Sequence, residues 1–172
     1  LKEHNVTKIE VRVDPDMTLQ FIGDVPMSIA DNEGKEKVVK YLSEYGIQIK
    51  GVLLITKFDG EFDDINYIRE SASFAKYVGV KNIRIDFCRE DPVDDRERQL
   101  LLSNFEKMLE PALSAAGELG IGLALENHGP FTNRPDIIQR LLERFGDKGL
   151  SICFDTGNFY VTGGLALEEV YK

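Results

Sequence analysis

A chain of 172 residues with 42% hydrophobic and 30% charged residues has the composition of a soluble globular protein with one sizeable core, not of a disordered segment. A formal net charge of -9 repels polyanions, which counts against nucleic acid and anionic membrane surfaces as partners. No run approaches the roughly 20 apolar residues of a membrane-spanning helix, and Cys88 and Cys153 lack the spacing of a disulfide framework or a zinc knuckle.

In chain order, residues 8–13 read as a strand, and amphipathic helices follow over residues 35–45, 65–78, 101–119 and 135–145. Four times a helix ends at a glycine and a short β-rich run follows at once: Gly46 before residues 47–58, Gly79 before 80–87, Gly120 before 121–126 and Gly149 before 150–155. In the third of these helices Leu101, Phe105, Met108, Ala112, Ala116 and Leu119 form one apolar stripe, and Pro111 is expected to kink or divide it. Pro135 suits the first turn of the last one.

Strand and helix thus alternate through five strands without a hairpin signal, the order of a parallel sheet. No G-x-G-x-x-G run follows any strand, so the expected α/β fold is a (β/α)8 TIM barrel, incomplete, with about five βα units in a single domain over residues 1–172. Leu1 is not an initiator methionine, residues 1–5 read as the tail of a helix, and residues 165–172 read as a helix stopped early. The expectation is a segment of a longer protein.

Side chains alternate across a strand, so parity decides what faces the barrel interior. Ile121, Leu123 and Leu125 suit the helix layer, which turns Gly122, Ala124 and Glu126 inward; the same count turns Ser151, Cys153 and Asp155 inward, with Ile152 and Phe154 outward. Arg84 and Asp86 face inward between Ile83, Ile85 and Phe87, as do Glu10 and Arg12 on the first strand. Charges converging inside a barrel mouth must be resolved by ion pairs, by water or by a metal. For Glu10, Arg12, Arg84 and Asp86, mutual salt bridging is one reading. Glu126 and Asp155 both end a strand on the face where barrel enzymes keep their chemistry, and they are the candidate metal ligands.

Two segments, Leu123-Ala-Leu-Glu-Asn-His-Gly129 and Ile152-Cys-Phe-Asp-Thr-Gly-Asn158, resemble consecutive strand ends of the xylose isomerase-like barrel superfamily of sugar isomerases and epimerases. Lys8-Ile-Glu-Val-Arg12 looks like that family's second strand and Gly79-Val-Lys-Asn-Ile-Arg84 like its fourth, so the resemblance runs over nearly the whole chain, about strands 2 to 6. It implies that Glu126 and Asp155 bind a divalent metal, with a histidine and a second glutamate supplied by two further strands. Many members carry histidine where Asn158 stands; asparagine still hydrogen-bonds a hydroxyl but does not titrate near neutral pH. Asp155 to Asn158 also reads as an ordinary Asx turn into a helix, and His128 as a loop histidine bonded only to nearby backbone.

The implied chemistry is proton abstraction beside a carbonyl, in which a hard cation stabilises an enediolate. The expected function is therefore a divalent-metal-dependent sugar, sugar phosphate or hydroxy-ketone isomerase or epimerase. Manganese or magnesium, with cobalt as a third option, suits the oxygen ligands. Glu126 would be both ligand and general base, with Glu10, Arg84, His128 and Asn158 as substrate contacts. A small-molecule sugar is the expected partner, in a cytoplasmic protein that admits a homo-oligomer. Rival readings are a polyol or inosose-type dehydratase, which begins with the same proton abstraction, and a non-catalytic sugar-binding barrel. A metal-dependent endonuclease of the superfamily would need more ligands and a basic DNA face.

Overall fold

The computed structural model describes residues 6–19 and 26–160; the expected terminal helices lie outside them. Strand β1 (Lys8–Val13) is followed by the two-residue strands β2 (Thr18–Leu19) and β3 (Met27–Ser28). Then come α1 (Asn32–Glu44), β4 (Gln48–Leu54), α2 (Asp64–Val78), β5 (Asn82–Ile85) and α3 (Asp95–Gly117). The chain continues through β6 (Gly122–Glu126), α4 (Pro135–Phe145), a 3-10 turn (Gly146–Lys148), β7 (Leu150–Cys153) and the one-turn helix α5 (Thr156–Asn158). β1, β4, β5, β6 and β7 lie side by side in chain order, each parallel to the next. The expected incomplete barrel is what forms, a mixed sheet that does not close among the described residues.

One expectation is corrected and another is narrowed. A hairpin is present: β2 pairs antiparallel with β1 through Val13 and Leu19, and β3 pairs antiparallel with β2. Strands of two residues are too short to show a period of two, and local bonds carry the turn. The Asp16 carboxylate accepts from the Thr18 amide at 3.1 Å and from its hydroxyl at 2.6 Å, and Met17 takes a left-handed φ of 61°. Nor does Pro111 divide its helix, since α3 is one helix of 23 residues. The lost backbone bond and ring clash cost about 3 kcal/mol. Burial of Phe105, Leu109, Ala112, Leu113 and Ala116 along one face offsets this, at about 1.5–3 kcal/mol for each large side chain.

The glycine punctuation has a backbone cause. Gly79 ends α2 at φ 77° and Gly149 precedes β7 at φ 95°, conformations that a Cβ disfavours. Parity is as expected on β5 and β6: Ile83, Ile85, Leu123 and Leu125 are wholly buried towards the helices. At the C-terminal ends of the strands, Phe87 stacks on Phe105 with centroids 3.9 Å apart, while Phe58 and Phe131 meet Phe87 edge-on. This aromatic floor supports the loops that follow β4, β5 and β6. Phe58 itself has a left-handed φ of 46°, held by the buried Asp64 carboxylate, which accepts from the Lys57 and Phe58 amides at 2.9 and 2.5 Å. Burial raises the Asp64 carboxyl above its ordinary range despite those two bonds.

Candidate active site

In register, Arg84 of β5 lies opposite Ala124 of β6, and Glu126 opposite Cys153 of β7. Inward parity therefore gathers the Arg84, Glu126 and Cys153 side chains on one face, and Asp86, just past β5, joins them. Arg84 grips both carboxylates, its Nη1 lying 2.7 Å from Glu126 Oε2 and its Nη2 3.3 Å from Asp86 Oδ2. His128 Nδ1 lies 3.6 Å from the same Asp86 oxygen, and the Asn158 amide donates to Glu126 Oε1 at 3.4 Å. Asp86 and Glu126 are only 5% and 7% exposed, whereas the His128 side chain is 46% exposed.

Burial raises the Glu126 carboxyl above its ordinary value of 4.5; the neighbouring Asp86 carboxyl raises it further, and Arg84 and His128 pull it down. Two acids share a low-dielectric site with one guanidinium, an excess of one negative charge when both are ionised. Burial likewise raises the Cys153 thiol, followed by the negative field of Glu126. Glu10 and Asp155 act on that thiol too, so both lie within electrostatic reach of the same interior.

The loops are tied to one another. Thr56, beyond β4, donates its hydroxyl to the Asp86 carbonyl at 2.5 Å and accepts from the Asp86 amide at 3.0 Å, which fixes the backbone at the end of β5. Asn127, beside Glu126 and 1% exposed, uses its whole amide: Nδ2 donates to the Asp155 carbonyl at 2.8 Å and to Asn133 Oδ1 at 2.9 Å, and Oδ1 accepts from the Asp155 amide at 2.7 Å. That side chain staples the end of β6 to the end of β7. Thr132 closes the β6–α4 loop by donating to the His128 carbonyl at 2.6 Å.

Of the residues singled out in the sequence, Glu126, Arg84, His128 and Asn158 come together. The Glu10 carboxylate packs over Gly51 on the neighbouring strand. Asp155 is exposed, and its Oδ1 caps α5 by accepting from Gly157 and Asn158 amides at 2.7 and 3.4 Å, the turn that the sequence also allowed. Mutual salt bridging forms only in part: Arg84 pairs with Asp86, while Arg12 pairs with Asp14 at 2.9 Å. Asp86 is central here although the sequence reading named it only among inward charges that salt bridging would resolve as one reading; its inward parity was the available signal. Asn127 and Thr56 carry no sequence signal beyond their proximity to strand ends.

A divalent cation is implied by the family resemblance, and the donor set fits one. Asp86, Glu126 and His128 each offer a ligand atom within 4.8 Å of the others. The two carboxylates suit magnesium or manganese, while an imidazole is a ligand type of zinc, copper, iron and nickel. Asp86 Oδ1 is buried with no hydrogen-bond partner among the described residues, an arrangement that costs free energy unless something pairs with it.

A family model described as a xylose isomerase-like TIM barrel matches residues 1–171. Among solved structures, a xylose isomerase domain protein from Alicyclobacillus acidocaldarius subsp. acidocaldarius superposes with a TM-score of 0.66 at 14% identity, covering 94% of this chain and 58% of that one. A xylose isomerase-like TIM barrel protein from Mycobacterium smegmatis in complex with magnesium also gives 0.66 at 14% identity, over 99% of this chain and 58% of that one. A D-tagatose 3-epimerase-like protein gives 0.60 at 18% identity, over 91% of this chain and 58% of that one. The chain therefore spans about 58% of the length of each of these three. No curated protein sequence matches it significantly.

Proposed function

Because this chain belongs to the xylose isomerase-like TIM barrel family, we propose that it contributes the general base and part of the metal site of a divalent-metal-dependent sugar or hydroxy-ketone isomerase or epimerase. The observation that carries this reading is Glu126: a buried carboxylate at a strand end in the barrel mouth, its basicity raised by burial, among Arg84, Asp86, His128 and Asn158. A general base works best when its pKa approaches the working pH, and burial moves Glu126 in that direction.

In the proposed reaction Glu126 removes the proton from the carbon beside the substrate carbonyl, and the bonding pair moves towards that oxygen. Return of the proton to the opposite face of the same carbon gives an epimer; return to the neighbouring carbon gives the aldose–ketose isomer. Magnesium or manganese, with cobalt as a third option, would be held by Glu126 with Asp155 and would stabilise negative charge developing on the substrate oxygens. Arg84 meets Glu126 Oε2, Asn158 meets Glu126 Oε1 and His128 meets Asp86, and these three with Glu10 are the groups that would orient substrate hydroxyls. The magnesium-bound and epimerase-like neighbours support the reading.

We place the substrate among small sugars rather than nucleic acids or membranes, consistent with the acidic charge, and the protein in the cytoplasm in a form that admits a homo-oligomer. The test is turnover of ketoses, hydroxy ketones and their epimers by the full-length protein after chelator treatment and again with manganese. Metal-restored activity that Glu126→Gln abolishes is expected. Near-normal turnover by Glu126→Gln would remove the central residue from the reaction, and no turnover by the parent with any of these substrates and metals would leave the non-catalytic sugar-binding barrel.

A further inference from the structure

Glu126 ends β6 and Asp155 follows β7, so the two carboxylates assigned to the cation come from different strands. The last backbone pair between those strands joins Glu126 to Cys153. Beyond that pair, the separation of the two carboxylates depends on side chains. The residue that follows Glu126 is Asn127, which is 1% exposed.

We infer that Asn127 is a positioning residue of the metal site: its side-chain amide sets where Asp155 stands relative to Glu126. The inference rests on the metal dependence proposed above and on the Glu126 and Asp155 pair. It adds to the site a residue that would not itself touch the cation.

The bonding reproduces a strand pair. Asn127 Oδ1 accepts from the Asp155 amide at 2.7 Å while Nδ2 donates to the Asp155 carbonyl at 2.8 Å. One side-chain amide thus exchanges both bonds with one residue, as the two residues of a hydrogen-bonded pair do in an antiparallel ladder. The Asp155 carboxylate is held as well, because its Oδ1 accepts from the Gly157 and Asn158 amides. Oδ2 is the oxygen left outside that cap.

The place demands asparagine. The Asp155 N–H needs an acceptor and its carbonyl needs a donor, and the second Nδ2 hydrogen goes to Asn133 Oδ1 at 2.9 Å, in a residue 2% exposed. Turned over, the amide would set its oxygen against two acceptors and its nitrogen against an N–H. Ionised aspartate lacks the donors, leucine lacks every polar atom, and glutamine adds a methylene to a closed site. Burial keeps water from standing in for these bonds, so the amide acts as a rigid spacer between the two strand ends. Outer partners that orient ligands in this way are worth about 10- to 100-fold in metal affinity.

The experiment measures Mn2+ affinity of the chelator-treated full-length protein by electron paramagnetic resonance for the parent, Asn127→Ala, Asn127→Leu, Asp155→Asn and Gly79→Ala, with circular dichroism reporting which are folded. Asn127→Leu keeps a side chain of similar size where Asn127→Ala leaves a gap. Both are expected to bind Mn2+ about 10- to 100-fold more weakly than the parent. Gly79→Ala strains the backbone at φ 77° at the end of α2 and meets no atom within 4 Å. It is expected to lose stability and keep parental affinity, which separates positioning from general destabilisation. Parental affinity in either folded Asn127 variant overturns the inference, and so does an equal loss in Gly79→Ala. Failure of both Asn127 variants to fold would make the amide a requirement of the fold alone and would overturn it too. A parent that binds no Mn2+, or Asp155→Asn at parental affinity, overturns the metal pair itself and the inference with it.

Discussion

Asn127→Ala removes a side chain whose every polar atom is used. The change takes away donors to the Asp155 carbonyl and Asn133 Oδ1 and the acceptor for the Asp155 amide. At about 1 kcal/mol for each hydrogen bond the sum is about 3 kcal/mol. Asp155 is exposed, so water replaces part of what it loses, whereas Asn133 is 2% exposed and its oxygen cannot recover a partner so easily. The expected loss is therefore about 2–3 kcal/mol. With a urea dependence of about 2 kcal/mol/M, the unfolding midpoint should fall by roughly 1–1.5 M. Urea titration of the full-length protein, followed by far-ultraviolet circular dichroism, measures this directly. An unchanged midpoint and slope would refute the view that this amide staples the ends of β6 and β7.

Two glycines separate conformational strain from collision. Gly79→Ala meets no atom within 4 Å and differs from the parent only in holding a Cβ at φ 77°, for about 1–2 kcal/mol; Gly129→Ala adds the approach to Cys88 and Arg89 and should lower the midpoint further, so equal losses would contradict the interlocked loops. Glu126 also links stability to pH. Its folded pKa is raised above 4.5, so the folded metal-free protein binds this proton more tightly than the unfolded chain, and the stabilisation present below 4.5 is lost as pH rises through the folded value. Glu126→Gln, which cannot ionise, should therefore be more stable than the parent at about pH 8 and lose that advantage towards about pH 4. A difference that stays constant with pH would show that burial does not hold the proton.

The parallel order was legible because each βα unit carries its own punctuation: an apolar stripe, a glycine such as Gly79 or Gly149, then a β-rich run. Parity located Glu126, Arg84 and Asp86 on one inward face because a period of two is rigid geometry, whatever the loops do. What parity could not provide was the choice of partners inside that face. Whether Arg84 would reach Glu126 or Glu10 depends on strand stagger, and the bulge between Ile9 and Glu10, which sets Glu10 against Gly51, is a register shift with no sequence signature. The β2–β3 hairpin was hidden for a related reason, since two-residue strands leave no periodic trace. Of the kink or division expected at Pro111, division does not occur because the apolar face that α3 buries around the proline holds one helix together. Asn127 was passed over because a buried amide that bonds backbone 28 residues away looks, in sequence, like any loop asparagine.

The central claim is that Glu126 takes a proton from carbon. It is tested most directly by incubating the full-length protein with manganese and candidate ketoses in deuterated water and following the carbon-bound proton beside the carbonyl by NMR. The account predicts loss of that proton signal with the parent protein, no loss in its metal-free form, and none with Glu126→Gln. Exchange that proceeds equally with Glu126→Gln would contradict it.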